Sequence, residues 1–439
     1  MHKDSTAAAT LPNPAPMAAS APRANTRPFV IAWVIALLFY VLEYATRSSP
    51  AVMIPQLSTA FGETAVGVSA ILGAYYYTYS LVSLVAGAAL DKLGARYAVA
   101  FGSAVLGIGC LVFMLASPLD GYIGRLLQGA GSSFAFTGAV YLASRGFSPR
   151  SLATAIGVTQ CLGMLGGSAG QFVVGPLLSG GLGWSSFWIF YGIVGLVLAA
   201  LLFVITPGQA QPGGKSGGSL LAPYAVVLGN PQSYLCGLIA GLLFTPTTIG
   251  DMTWGVAFFQ HDAALDFQHA VTVISMVPLG WVVGCPLMGW LADRIGLRKP
   301  VLIGGGVAML VMVAQITLLP QLLPAMLGMF LFGVASGVAM IPYSIIKEAN
   351  PDEVKGCATG TQNFLVFGIS ALIGPVFGSL LGRTLETAPD HLAHFRAAGL
   401  FWMAAIVIAI VASLFLRETG HRTAPHAQAV PKLEPSAHS

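Results

Sequence analysis

Charged residues are scarce in this sequence. They make up only 8% of its 439 residues, whereas an ordinary soluble domain has about 25%. Hydrophobic residues make up 56%, and the mean hydropathy is +0.78. This composition excludes an ordinary soluble domain and predicts an all-α protein that crosses the membrane several times. The formal net charge of +4 is too small to indicate a nucleic-acid partner.

Patterns of reactive or metal-binding residues are also missing. No Cys-x-x-Cys pair and no Cys/His ligand spacing occurs, so neither a disulfide framework nor a zinc site is indicated. The sequence has no phosphate-binding loop, no metal-binding His-Glu helix and no nucleophile elbow. We therefore expect no metal, no cofactor and no enzymatic activity. The five cysteines are isolated and lie in or beside apolar segments: Cys110, Cys161, Cys236, Cys285 and Cys357.

What the sequence does have is twelve apolar segments of membrane-spanning length. They cover about residues 29–57, 66–90, 97–117, 120–144, 151–180, 185–206, 233–260, 268–292, 300–319, 322–347, 353–382 and 393–416. They predict two bundles of six helices, over residues 29–206 and 233–416. A Gly- and Pro-rich stretch over 207–232 has the composition of a flexible linker. We expect residues 1–28 and 417–439 to be disordered cytoplasmic tails.

The distribution of basic residues predicts the orientation of the chain. If both termini are cytoplasmic, the tails and inner loops hold 16 of the 20 Lys and Arg residues. Such an excess on one side follows the positive-inside rule. The sequence therefore predicts both termini in the cytoplasm.

The two halves also repeat one another at an offset of 202 residues. Several motif residues match across this offset: Gly87, Asp91 and Arg96 with Gly289, Asp293 and Arg298, and Tyr141 and Arg145 with Tyr343 and Lys347. Parallel six-helix repeats with a binding site between them are a transporter architecture. Four ionisable residues inside the spans have no counterpart across the offset and are candidates for substrate chemistry: Glu43, Arg47, Arg125 and Asp251.

These patterns resemble the motifs of the major facilitator superfamily. The segment from Gly87 to Arg96 looks like the loop motif between spans 2 and 3, with Ala95 where the family usually has a basic residue. Its second copy runs from Gly289 to Lys299, and Arg125 to Gly131 resembles the fourth-span motif. The resemblance extends from about residue 29 to 416. It implies a monomeric, multi-pass transporter of the bacterial inner membrane with two pseudo-symmetric bundles, a lipid bilayer around it and alternating access.

The same resemblance implies a gating role for the loop motifs. Asp91 and Asp293 would be latch carboxylates, with Arg145 and Lys347 as basic partners. A glycine in such a motif lets two spans cross closely. The predicted gating residues are Gly87, Asp91, Arg96, Arg145, Gly289, Asp293, Arg298 and Lys347. The alternative is that the basic loops only set the topology.

Glu43 and Arg47 lie four residues apart inside the first span, on one helical face. Each costs roughly 2.5–3.5 kcal/mol at that depth, so the pair must face a protein interior or a water-filled cavity. The pair either joins helices by neutralising itself, or Arg47 binds a substrate anion. The second hypothesis requires Arg47 to face an aqueous cavity between the two halves.

The segment from Tyr44 to Pro55 is similar to the first span of two branches of the superfamily. These are the anion:cation symporters and the organophosphate:phosphate antiporters, in which an arginine at this place contacts the substrate anion. A guanidinium binds a carboxylate or a phosphate through two parallel hydrogen bonds. The organophosphate branch expects a second arginine in span 7, where this chain has Asp251. The resemblance therefore favours a carboxylate.

Other polar residues within the spans are candidates for the same cavity. The predicted substrate-binding residues besides Arg47 are Arg125, Tyr75, Tyr79, Gln160, Gln362 and Asn363. Tyr75 and Tyr79 share one helical face, and the alternative for them is an aromatic belt at the membrane surface. Glu43 and Asp251 are candidates to carry a coupling proton, since buried carboxyl groups titrate closer to neutral pH. The alternative for Asp251 is a water-exposed position at the outer end of span 7.

Together these observations predict proton-coupled uptake of a small organic anion, a carboxylate, with protons as the second partner. One alternative is proton-driven efflux of drugs or metabolites, because the glycines of span 5 loosely resemble an exporter motif. The other is transport of zwitterions such as amino acids or short peptides, whose amino group Glu43 or Asp251 would meet.

Overall fold

The structure is a computed structural model of the chain. It describes residues 26–147, 149–208, 222–261, 263–318, 322–351, 354–387 and 391–420. Most of the predicted tails and much of the predicted linker lie outside the described residues.

The first half of the chain forms helices wherever an apolar segment was predicted, because lipid offers no partner to an unpaired backbone group. The helices are α1 (Arg27–Ser48), α2 (Ile54–Phe61), α3 (Ala65–Leu93), α4 (Ala95–Phe113), α5 (Pro118–Gly146), α6 (Pro149–Phe172), α7 (Val174–Ser179) and α8 (Trp184–Ile205). A 3₁₀ turn, Ser49–Val52, separates α1 from α2. The first predicted span is therefore not one continuous helix.

The second half follows the same order. Its helices are α9 (Ala222–Leu228), α10 (Pro231–Thr245), α11 (Gly255–His261), α12 (Phe267–Ile295), α13 (Lys299–Leu318), α14 (Ala325–Ser336), α15 (Ile341–Glu348), α16 (Lys355–Thr387) and α17 (His391–Leu414). A π-helix, Pro246–Trp254, joins α10 to α11, and a 3₁₀ turn, Gly337–Met340, joins α14 to α15. The π-helix and the 3₁₀ turn at Ser49 overlap across the offset of 202 residues.

Eleven segments of the described chain are long and apolar enough to cross a membrane. The helix of the fourth predicted span, α5, is not among them. Its 29 residues include Asp120, Arg125 and Arg145. Arg125 and Gln128 are buried, and α5 packs against α3 and α4. The polar residues in the middle of α5 therefore face other helices.

The two halves of the chain meet along two pairs of helices, α3 with α16 and α6 with α12. In the first pair, the Ser80 hydroxyl donates to the carbonyl oxygen of Phe364 at 2.6 Å. In the second pair, the Ser168 hydroxyl donates to the carbonyl oxygen of Ser275 at 2.9 Å. The space between the halves is therefore closed on two sides by packed helices.

Glycines allow the closest helix crossings. A Cβ atom on Gly280 of α12 would lie 2.2 Å from the carbonyl oxygen of Phe330 in α14. A Cβ atom on Gly166 of α6 would lie 2.4 Å from the carbonyl oxygen of Val41 in α1. Close packing therefore accounts for this glycine of span 5, and the exporter interpretation gains no support from it.

The chain beyond α17 belongs to the fold as far as residue 420. The carboxylate of Glu418 accepts hydrogen bonds from the backbone N–H groups of Arg298 at 2.6 Å and Lys299 at 2.9 Å. These are unpaired donors at the start of α13, so Glu418 caps that helix. The described residues 417–420 thus contact the helices, and the disorder of the tail over 417–439 stays a prediction. We call the end of the structure at which α17 ends the terminal end.

Candidate transport site

Glu43 and Arg47 form an ion pair on α1, and neither side chain is exposed. Tyr75 of α3 completes the cluster. Its hydroxyl donates to Glu43 Oε1 at 2.5 Å and accepts from Arg47 Nη2 at 3.2 Å. Glu43 Oε2 and Arg47 Nη1 have no hydrogen-bond partner among the described residues. An unpaired buried polar atom is costly. A ligand or a proton that binds to one of these two atoms would remove that cost without breaking an existing hydrogen bond.

Aromatic rings surround the guanidinium of Arg47. The ring centroids of Tyr44, Tyr79 and Phe367 lie 4.5, 5.0 and 5.1 Å from its central carbon. These distances are within the range of cation–π interactions. Phe367 belongs to α16, so both halves of the chain contribute to the surroundings of this cation.

A cavity of about 30 Å³ lies between the two halves. Its walls include the three rings that contact Arg47, those of Tyr44, Tyr79 and Phe367. Arg47 itself does not line the cavity, because these rings separate its guanidinium from the space. The expected direct exposure of Arg47 to an aqueous cavity is therefore not present in this conformation, in which the cation lies one layer of rings behind the wall.

The two tyrosines predicted on α3 lie at this site. Tyr75 is fully buried and Tyr79 is 3% exposed, so neither belongs to an aromatic belt at the membrane surface. Tyr77, between them, points the other way and is 44% exposed. The shared face of Tyr75 and Tyr79 agrees with their spacing of four residues.

The predicted amide side chains divide between the cavity and the helix contacts. Gln160 accepts a hydrogen bond from the Tyr40 hydroxyl at 3.2 Å, and Asn363 accepts one from the Tyr343 hydroxyl at 2.7 Å. All four of these residues line the cavity. Gln362 does not, because its amide donates at 3.0 Å to a backbone carbonyl of α10.

Arg125 lies behind Tyr75 and away from the cavity. Its central carbon is 4.7 Å from the Tyr75 ring centroid. Its guanidinium donates to the Gln128 side chain at 2.7 Å and to the carbonyl oxygens of Thr46 and Leu72 at 3.3 Å. These bonds join α1, α3 and α5. Arg125 therefore holds the wall in place and does not reach the cavity.

Asp251 lies apart from the cluster of Glu43 and Arg47. It is 2% exposed, and neither of its carboxylate oxygens has a partner among the described residues. The alternative that Asp251 faces water is therefore wrong. Asp251 lines a second cavity of about 70 Å³, whose walls all come from the second half of the chain.

Part of the predicted gate forms a charge network at the terminal end. Arg298 contacts Asp293 at 2.6 Å and Glu348 at 2.8 Å. Glu348 also accepts from the Thr419 hydroxyl at 2.5 Å. Burial alone would lower the pKa of Arg298, but its bonds to the two carboxylates outweigh burial and raise that pKa. The residue pattern indicated Asp293 and Arg298 and missed Glu348 and Thr419.

The matching network of the first half is not described in full. The side chain of Asp91 lies outside the described residues. Arg96 stacks on Phe203 at 4.7 Å, and Arg145 stacks on Tyr141 at 5.4 Å. These contacts hold the two arginines against their own half of the chain.

The two motif glycines do not allow a close crossing in this conformation. A Cβ atom on Gly289 would meet no atom of the described structure within 4 Å, and one on Gly87 would meet the Tyr224 hydroxyl at 3.5 Å. The predicted reason for these glycines is therefore wrong for this conformation. Lys347, the other predicted gate residue, lies half-buried near the end of α15, next to Glu348.

Several cavity residues were missed. Tyr40 and Tyr44 precede Arg47 by seven and three residues, so helical spacing could have placed them on its face. No such spacing from Arg47 indicates Tyr343, Phe367 or the apolar residues of the wall. Buried aromatic residues occur throughout these helices, so an aromatic residue alone does not indicate the cavity.

Comparison with known proteins identifies the family. The sequence profile of the Major Facilitator Superfamily matches residues 36–375. The chain belongs to this superfamily. This match confirms, over most of the chain, the family that the loop motifs indicated.

Similar members of the superfamily are known. The chain is 23% identical to the D-galactonate transporter of Escherichia coli O6:H1 over 81% of this chain and 90% of the relative. It is 27% identical to the membrane sensor protein UhpC of Salmonella typhimurium over 86% of this chain and 89% of the relative. The crystal structure of the nucleoside transporter NupG matches with a TM-score of 0.67 at 14% identity, covering 89% of this chain and 98% of NupG. That likeness shows the fold alone.

Proposed function

We propose that this member of the superfamily is a secondary transporter that takes up a small organic carboxylate together with a proton. It acts as a monomer in the inner membrane of a bacterial cell, by alternating access between the bundles of residues 29–206 and 233–416. The observation that carries this proposal is the buried guanidinium of Arg47. Its Nη1 has no partner among the described residues, and it lies one layer of rings behind the cavity between the halves.

The chemistry of this cluster suits an exchange of carboxylates. A substrate carboxylate that passes Tyr44, Tyr79 and Phe367 would meet a guanidinium whose fork takes two oxygens at once. It would replace Glu43 as the partner of Arg47. The displaced Glu43 would then be a buried charge without a partner, which costs several kcal/mol.

Proton uptake by Glu43 removes that cost and couples the two ligands. Glu43 Oε2 has no partner among the described residues, so a proton can bind there without breaking a contact. Asp251 shares no hydrogen bond with Arg47 or Tyr75 and lines a different cavity. We therefore assign the coupling proton to Glu43.

The relatives support the class of substrate. A protein 23% identical over 90% of its own length is named a D-galactonate transporter, and D-galactonate is a sugar carboxylate. The cavity wall also offers hydroxyl and amide groups, from Tyr40, Gln160, Tyr343 and Asn363. These groups suit a polar, hydroxylated carboxylate.

A twelfth span completes the proposed topology. The described chain has eleven apolar spans, and an even number is needed for both termini to lie on one side. Helix α5 supplies the twelfth, since its 29 residues exceed the roughly 20 that span a bilayer and its central polar residues are buried. The basic residues then lie mainly in the cytoplasm.

The charge network at the terminal end suits the gate of the second half. Arg298 joins α12 to α15 through Asp293 and Glu348, and Glu418 holds the segment after α17 to α13. We propose that these contacts keep the cytoplasmic ends of the second bundle together as it moves against the first.

Uptake by purified protein in liposomes tests the proposed function. We expect labelled D-galactonate to accumulate when an inward proton gradient is applied, and we expect Arg47→Ala to abolish this accumulation. The matched control is Arg396→Ala, which removes an exposed arginine at the start of the last span. Since Arg47→Ala leaves Glu43 without its partner, the double variant with Glu43→Gln separates misfolding from loss of the anion site.

Three results would contradict the proposal. Uptake that survives in the folded double variant would exclude Arg47 as the anion contact, and uptake that is indifferent to the proton gradient would exclude coupling. Saturable binding without any transport would favour a sensor, the role named for the relative UhpC.

A further inference from the structure

The cavity beside Asp251 is a separate feature of the second half of the chain. It lies at the end of the structure away from the terminal end, where α13 and α16 finish and α14 and α17 begin. Its volume of about 70 Å³ is more than twice the volume of about 30 Å³ between the halves. No described residue of the first half lines it. It therefore does not belong to the proposed transport site.

Among the described residues that line this cavity, Asp251 is the one ionisable residue. Both of its carboxylate oxygens lack a hydrogen-bond partner among the described residues, and so does the indole nitrogen of Trp254 in the same wall. A buried carboxylate without a hydrogen bond or a counter-charge is expensive. In its ionised form, Asp251 would therefore be stabilised by a positive group, which the described lining residues do not supply.

Several residues of the remaining wall are aromatic, and the others are mainly aliphatic or small. Trp254, Phe259, Phe332, Phe377 and Trp402 all line the cavity. Aromatic faces attract cations, and pockets built from several such faces bind ammonium groups. An aromatic wall around one carboxylate is a combination that suits an organic cation and repels an anion.

The first half of the chain has no carboxylate at the corresponding place. Ser49, which matches Asp251 across the offset of 202 residues, bonds to the Tyr191 hydroxyl of α8 at 2.9 Å. Near Asp251, α17 contributes the small residues Ala398 and Gly399 to the wall. The unpaired carboxylate of Asp251 therefore has no counterpart at the matching position of the first half.

The local backbone supports a binding role. Asp251 lies in the π-helix Pro246–Trp254, and such wide turns occur frequently at functional sites. The π-helix also contacts the first half, since the methyl group of Met252 would be 3.3 Å from a Cβ atom on Gly167. Asp251 is thus adjacent in sequence to a residue that contacts the other half.

From these observations we infer that the Asp251 cavity binds a small organic cation, a protonated alkylamine, at a site distinct from that of the anion. An engineered apolar cavity of roughly 150 Å³ holds benzene, so a space of about 70 Å³ accommodates an ammonium group with one or two carbons. The ammonium group would contact the Asp251 carboxylate, and its carbons would contact the aromatic wall.

Ethylammonium chloride added to the purified full-length protein tests this inference. We expect a saturable rise in melting temperature, because a ligand that binds the folded state stabilises it. We also expect a saturable change in tryptophan fluorescence, because Trp254 and Trp402 line the cavity. Ethanol, which is similar in size but uncharged, and sodium chloride should produce neither change.

Asp251→Asn should weaken the apparent affinity for ethylammonium at least tenfold, and Asp251→Glu should restore most of it. The matched control is Asp266→Asn, which alters a carboxylate whose side chain is 63% exposed and should leave binding unchanged. Equal responses of the wild type and Asp251→Asn would overturn the inference. If Asp251→Asn does not fold, an equal response of the wild type to ethanol and ethylammonium overturns it instead.

The inference does not depend on the proposed function. The folded double variant of Glu43 and Arg47 should lose uptake of the carboxylate and keep its response to ethylammonium. Loss of both in that variant would show that the two sites are not separate and would overturn the inference.

Discussion

Tyr75 connects the two charges of the candidate site. Its hydroxyl bonds to both Glu43 and Arg47, and its ring lies 4.7 Å from the guanidinium of Arg125. Tyr75 does not line the cavity, so we propose that it acts on a substrate by positioning Arg47.

We expect Tyr75→Phe to weaken carboxylate binding about tenfold. The variant keeps the ring and removes one hydroxyl that bonds to charged groups, and such a bond contributes roughly 1.5–3 kcal/mol. The measurement is a binding titration with D-galactonate alongside a thermal unfolding curve. Tyr77→Phe, at an exposed tyrosine of the same helix, is the control.

A structural role alone would give a different result. A fall in melting temperature with unchanged affinity would show that Tyr75 only supports the packing of α1 and α3. A fall in affinity with little change in melting temperature would show that it positions Arg47.

The charged residues of the site could be predicted from the sequence, whereas their exact surroundings could not. Glu43, Arg47 and Asp251 stand out because ionisable groups are expensive inside a span. That cost says nothing about which face a side chain takes, so Arg125 was expected at the cavity and lies behind Tyr75. The ring of Phe367 comes from a distant part of the chain, and no local pattern indicates it.

At the scale of single elements, the ends of helices were harder to predict than their centres. Apolar runs indicated the spans, but the 3₁₀ turn at Ser49 and the π-helix at Pro246 have no distinctive pattern. The cap on α13 was also missed, because Glu418 lies more than a hundred residues beyond the helix that it caps. Contacts of this kind depend on how the helices pack.

Glu418 gives this cap a dependence on pH. Burial alone would raise the pKa of its carboxyl group, but hydrogen bonds from backbone N–H groups, first among them that of Arg298, outweigh burial and lower that pKa. A carboxyl group whose pKa is lower in the folded state stabilises the fold above its unfolded pKa of about 4.3. This contribution is lost as the pH falls through the folded pKa.

We expect Glu418→Gln to lower the stability at pH 7 by about 0.3–1 kcal/mol, the usual effect of a negative charge at a helix N-terminus. Because the variant cannot titrate there, its melting temperature should fall less steeply than that of the wild type as the pH drops below about 5. Thermal unfolding from pH 7 to pH 3 measures this, with Glu63→Gln at an exposed carboxylate as the control. Parallel pH curves would show that the cap does not contribute.

At the scale of the whole molecule, the repeat was visible in the sequence, while the conformation was not. An offset of 202 residues relates the halves, and the superfamily profile matches most of the chain. In this structure α3 meets α16 and α6 meets α12. For a protein that alternates between states, as proposed here, the helices that meet would depend on the state. One sequence serves all of its states, so a motif can reflect contacts of a state other than the one described.

Gly289 is an example of such a residue. Glycine inside a helix is less favourable than alanine by roughly 0.5–1 kcal/mol. Nevertheless Gly289 recurs as Gly87 in the other half, and neither makes a close contact here. Their smallness is not needed in this conformation. We propose that it is needed in another conformation, in which a neighbouring helix comes closer to α12.

We expect Gly289→Ala to leave the melting temperature unchanged or slightly raised and to slow transport at least tenfold. An added methyl group has free space here but would obstruct the approach of a helix in the other state. Two controls frame this result. Gly73→Ala should affect neither property, because Gly73 also has free space and has no glycine counterpart in the repeat. Gly280→Ala should lower stability, because its Cβ atom would lie 2.2 Å from a backbone oxygen. The measurements are uptake rates in liposomes and thermal unfolding curves. A Gly289→Ala variant with full transport activity would contradict the prediction, because it would mean that α12 has free space at Gly289 throughout the transport cycle.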